Sequence, residues 1–121
     1  MLSGCSSGKT HLFAALRTDR HKDWDNNPER FKRQPFPAWS PDAIQFLNDQ
    51  RGIVANGHEA LDTNPTQGLK SQTWLLRHGH WQIEVMANLD QVPATGALIV
   101  VAWPKPKNGL GFPVRAFAIL P

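Results

Sequence analysis

At 121 residues, with 40% apolar and 19% charged, the chain has enough apolar material for one buried core and too little charge for disorder. The net charge of +3 is spread along the sequence, and its densest cluster, Arg30, Lys32 and Arg33, is too short to make a nucleic-acid surface. A lone Cys5 excludes a disulfide framework within the chain and points to a reducing cytoplasm, and no apolar run reaches the ~18 residues that a membrane span needs.

Residues 1–11 are small and polar, and read as a flexible arm. Gly4 to Thr10 imitates a phosphate-cradling loop, but three residues separate its glycines where four are needed. Leu12–Leu16 is a short apolar run with the length of a strand, and it ends at Arg17-Thr18. Asp19, His21 and Asp23 then alternate with Arg20 and Lys22, which would repel a cation, so the cluster reads as a solvated loop. Residues 25–39 are polar and Pro-rich and predict a loop anchored by Phe31, Phe36 and Trp39. Ser40, Pro41 and Asp42 supply an N-cap, a first-turn proline and a carboxylate at the positive end of a helix. That helix stops at Gly52.

Ile53-Val54-Ala55 reads as a short strand delivering Asn56-Gly57-His58-Glu59 to its C-terminal edge, where α/β folds gather ligands. Asp62 and Asn64 follow, and Pro65 interrupts. Residues 66–76 suit a short helix that turns Gln72 and Trp74 inward, and Arg77 to His80 a turn. Trp81 to Glu84 leads to the Ala87-Asn88-Leu89-Asp90 turn. Two buried strands, Ala97–Trp103 and Val114–Leu120, close the chain. These elements predict one α/β domain over residues 12–121, with a mixed β-sheet and a few helices.

Three groups offer chemistry. Glu84 is a carboxylate close to a buried sheet. His58 has Glu59 and Asp62 nearby and suits acid–base work near neutral pH, although adjacent side chains point apart and disfavour a direct His58–Glu59 pair. His78 and His80 are two residues apart, with no carboxylate close in sequence to complete a metal set.

The segment from Glu84 through ANLDQVPATGALIVV to GFPVRAFAILP resembles the C-terminal half of the metal-dependent cyclase/kynurenine formamidase family. The resemblance continues upstream through ALRTDRHKDW, PFPAWSPDAIQFLNDQRGI and ANGHEALDTNP, and so covers residues 12 to 121. It implies a swivelling β/β/α fold and a metal-dependent hydrolase of amides, formamides or lactones. It also implies that Glu84 helps to complete a metal site, with a companion histidine where this chain has Gln72, a poor zinc ligand. It places Arg17, Asp62 and Asn88 near a ligand, and His58-Glu59 at the rim of the cleft.

The family's His, Gly, Thr, His, Asp run is absent, so the chain resembles a truncated or degenerate half of a hydrolase. The leading expectation is a small-molecule-binding or assembly module that needs no cofactor and pairs with a second copy, because an incomplete sheet leaves apolar surface and open edges. The alternatives are a hydrolase whose Zn or Mn site another subunit or chain completes, and a basic protein that binds an acidic partner.

Overall fold

The computed structural model describes residues 11–61 and 69–121. The readings placed on the N-terminal arm before His11, and those on Asp62, Asn64 and Pro65, lie outside the described residues. The chain forms two compact units, Met1–Ala87 and Asn88–Pro121.

The first unit is built on three parallel strands, β1 (Leu12–Leu16), β2 (Ile53–His58) and β3 (Trp81–Ile83), in the order β1-β2-β3. Leu16 lies opposite His58, and Gly57 opposite Ile83, so the strands finish together at one edge. β2 is central, and every residue in it except Val54 is buried. Parallel neighbours on both sides explain its length: it runs on through Asn56, Gly57 and His58, which the sequence had suggested lay beyond a three-residue strand. Among the described residues, the loop expected over residues 25–39 contains two short helices, α1 (Asp23–Asn26) and α2 (Pro28–Phe31). Asn27 caps α2 through its side chain, which accepts from the Arg30 N–H, and Phe31 is buried.

The helix started by Ser40 is α3 (Pro41–Arg51). Ser40 Oγ accepts from the Ala43 N–H at 3.2 Å, Ile44 is buried, and Gly52 closes the helix at φ 65. α4 (Lys70–Arg77) buries Ser71 and Leu75. Trp39 joins these elements. Its Nε1–H donates to the Gly57 carbonyl at 3.1 Å, and its own carbonyl accepts from Ser71 Oγ at 2.8 Å.

The second unit contains β4 (Leu98–Ala102) and β5 (Arg115–Ile119), paired antiparallel as a separate two-stranded sheet. The single mixed sheet expected from the sequence is therefore divided into a parallel sheet and a hairpin among the described residues. Pro104, Pro106 and Pro113 lie just outside the paired segment, and each lacks the N–H that a ladder needs.

Candidate functional site

The C-terminal ends of β1, β2 and β3 hold most of the polar side chains marked out by the sequence. Glu59 follows β2 directly and has no exposed surface. Its Oε2 accepts from the Thr18 N–H at 2.7 Å, the Thr18 hydroxyl at 2.9 Å and the Arg20 N–H at 3.1 Å. Its Oε1 lies 2.7 Å from His21 Nδ1. A carboxylate taken wholly out of water needs such a set of donors, because burial without them costs several kcal/mol. The parallel register makes the contact possible: with Leu16 opposite His58, the chain leaving β1 wraps over the chain leaving β2.

The partner of Glu59 is thus His21, and the cluster read as a solvated loop supplies a ring with only 13% of its side chain exposed. Arg20 to Lys22 form a single 3-10 turn that carries the imidazole inward. An imidazole oriented by a buried carboxylate has the composition of a proton-transfer pair. The same contacts latch the end of β1 to the end of β2. His58, next in sequence to Glu59, is also completely buried. Its carbonyl accepts from the Met86 N–H at 3.0 Å, and the Ala60 carbonyl from the Val85 N–H at 3.1 Å. Backbone bonding between these chains therefore continues past the end of β3 and brings Glu84 alongside His58–Ala60.

Glu84 is half-buried, and its Oε1 accepts from Gln82 Nε2 at 2.7 Å. The next residue, Val85, stands at φ 55, a left-handed conformation that a β-branched side chain adopts only under strain. Arg17 is half-exposed and pairs with Asp19 at 2.7 Å. That hydrogen bond, aided by Lys22, holds the Asp19 carboxyl down at about 2, against an ordinary value of 3.8. Gln72 lies on α4, half-buried. Asn88 belongs to the second unit, where it is exposed at φ 61 and accepts from Gln91 Nε2 at 3.3 Å. His78 and His80 each turn Nδ1 to a backbone carbonyl, of Trp74 and of Val54, and so have structural partners.

Among the described residues no group of three or more His, Cys, Asp or Glu side chains could hold a metal ion. The donors present at the strand ends do not fit a divalent centre by themselves: Glu84 lies beside an amide, and Glu59 is occupied by four contacts.

No family model matches the chain. A search of curated proteins finds isatin hydrolase of Roseibium aggregatum, 31% identical over 115 residues, covering 82% of this chain and 43% of the relative. The chain is homologous to isatin hydrolase. Two solved structures agree. Isatin hydrolase A from Labrenzia aggregata, bound to benzyl benzoate, matches at a TM-score of 0.78 and 30% identity over 91% of this chain and 46% of that one. An isatin hydrolase bound to the product analogue thioisatinate matches at 0.80 and 28% identity over 94% of this chain and 48% of that one. The chain thus spans slightly less than half the length of the isatin hydrolases it matches. This homology supports the cyclase/formamidase resemblance and the α/β class read from the sequence. Among the described residues no helix is long and apolar enough to cross a membrane.

Sequence reasoning missed Thr18 and missed His21 as the partner of Glu59. They lie 41 and 38 residues from it. The available signal was the strand pattern: if Leu12–Leu16 and the strand after Gly52 pair in parallel, the residues following each must meet.

Proposed function

We propose that this chain is a hydrolase-related small-molecule-binding module, which takes a cyclic amide such as isatin or its ring-opened carboxylate and does not hydrolyse it unaided. The observation that carries this reading is the match of 94% of the chain to an isatin hydrolase bound to thioisatinate. The donor set argues for binding over turnover. The described residues lack a three-ligand cluster, so a metal-dependent reaction needs ligands from outside them. Glu84, alongside His58–Ala60 and bonded to Gln82, is the polar group assigned to the ligand's amide or carboxylate end, and the His21–Glu59 pair fixes the strand ends around it.

The test is titration of the purified chain with isatin and with thioisatinate, followed by tryptophan fluorescence, beside an assay of isatin loss with Mn²⁺, with Zn²⁺ and with a chelator. Saturable binding that Glu84→Ala weakens about tenfold, with no isatin consumed, is the expected result. Metal-dependent isatin loss abolished by Glu84→Ala would make the chain a hydrolase in its own right. Absence of binding by either compound would remove the small-molecule role.

A further inference from the structure

Asn56 buries a polar side chain in the central strand of the parallel sheet. It is 1% exposed, and among the described residues neither the Oδ1 nor the Nδ2 atom of its amide has a hydrogen-bond partner. An unbonded amide out of reach of water is costly, and few native side chains are left so. The register of β2 gives its neighbours. Asn56 lies opposite Ala14 on β1 and Gln82 on β3, and residues in register project to the same face of a sheet. Ala14 offers no polar group. Along β2 itself the next residues on that face, Val54 and His58, are about 7 Å away at the backbone, against about 5 Å across to Gln82. Gln82 is therefore the nearest polar neighbour in the sheet, yet its Nε2–H donates along its own strand to Glu84 Oε1 at 2.7 Å.

We propose that Gln82 is shared between two partners: it bonds Glu84 in the free chain, and it crosses to Asn56 when a ligand N–H takes its place on Glu84. This rests on the reading of Glu84 as the polar group that meets the ligand, and it adds which feature of the ligand is read there. An ionised carboxylate only accepts, so the ligand must bring a donor. The N–H of a cyclic amide is one, and opening the ring leaves an amine as another. The ligand N–H and the Gln82 amide then compete for Glu84 Oε1, and the displaced Gln82 has a destination one strand away. The amides of Gln82 and Asn56 each carry a donor and an acceptor, so either orientation makes a bond. That bond satisfies the buried amide, a gain that release of Gln82 into water does not bring. Asn56 touches no ligand in this arrangement. It is a positioning residue that acts through Gln82, and it turns an unsatisfied group of the free chain into part of the binding energy.

The experiment has a ligand-free arm and a binding arm, both on the full chain. The first is urea unfolding of Asn56→Val and of the smaller Asn56→Ala, each alone and combined with Glu84→Ala. Alone, Asn56→Val is expected to leave the midpoint unchanged or raise it, because it removes a buried polar group that has no partner. In the Glu84→Ala background Gln82 has already crossed, and the same substitution is expected to lower the midpoint by about 0.5 M. Asn56→Ala is expected to show the same difference between the backgrounds, whatever its cavity costs in both. The second arm is titration with isatin and with N-methylisatin, in the presence of a chelator, followed by tryptophan fluorescence. Asn56→Val is expected to weaken isatin about tenfold, the worth of one hydrogen bond, and to leave N-methylisatin within about twofold. In a Gln82→Met chain it is expected to have no effect on isatin. Substitutions of Asn56 that shift the urea midpoint equally in both backgrounds overturn the proposal. So does isatin binding that Asn56→Val leaves unchanged, which keeps the small-molecule reading intact. A natural chain that binds no isatin overturns that reading and this one together.

Discussion

Glu59 is the most constrained side chain at the strand ends, with no exposed surface and contacts to Thr18, Arg20 and His21. Glu59→Gln keeps its shape but removes the negative charge: its amide oxygen can still accept from Thr18 and Arg20, and its NH₂ then replaces an acceptor oxygen beside His21 Nδ1. The expected cost is about 2–4 kcal/mol in urea unfolding, the range for disrupting a buried charged network. Val85 predicts the opposite sign. At φ 55 it bears a conformational penalty of about 1–2 kcal/mol, part of which glycine relieves. Val85→Gly should therefore unfold at the same or a higher urea concentration, and a large destabilisation would show that the Val85 side chain packs productively. Asp19 carries the pH dependence. Arg17 holds its folded value at about 2, below the ordinary 3.8, so this interaction is present above about pH 4 and lost as pH falls towards 2. In Arg17→Ala a carboxyl NMR titration should move up towards 3.8, and an unchanged midpoint would remove Arg17 as the cause.

Among the elements, β2 sets the geometry of the strand ends, because it is paired on both sides and positions His58 and Glu59. Gly57 is its penultimate residue. A Cβ there would strike Met86 Sδ, would lie 2.9 Å from the Phe13 ring and 3.2 Å from the Ile83 carbonyl. Gly57→Ala is expected to cost about 1–3 kcal/mol, as overpacking does. Adding Met86→Ala should recover part of that loss, because the tightest contact is with a flexible side chain, whereas the Ile83 carbonyl cannot retreat. A double variant no more stable than Gly57→Ala would place the strain in the backbone. α3 shows how far local signals reach. Ser40, Pro41 and Gly52 act as their sequence positions predict, since a cap is decided within four residues.

At the scale of the whole molecule, the balance is between an intact parallel core and the absence of a metal donor set among the described residues. A site that binds only the folded chain would stabilise it by about 2.7 kcal/mol at a hundredfold excess over its dissociation constant, which is several degrees in the melting midpoint for a domain of this size. Mn²⁺ and Zn²⁺ are expected to leave the midpoint where a chelator leaves it. A rise abolished by Glu84→Ala would reveal a centre that the described residues do not show.

The sequence alone located β1, β2, β4 and β5, the capped helix and the homologous blocks, because alternation, β-branching and cap chemistry act over a few residues, but it did not locate β3. It also marked Glu59 and Glu84 as polar groups near a sheet. Only the tertiary structure decided which side chains they meet. The parallel register joins Glu59 to Thr18 and His21 across about forty residues, and the backbone bonds from Val85 and Met86 bring Glu84 beside β2. Pairing also set the limits of the elements: β2 runs to His58 because it has a neighbour on each side, whereas β4 and β5 have only each other and leave an apolar face open. Local propensity places a strand, but which groups share its end depends on the partner it pairs with and in what register.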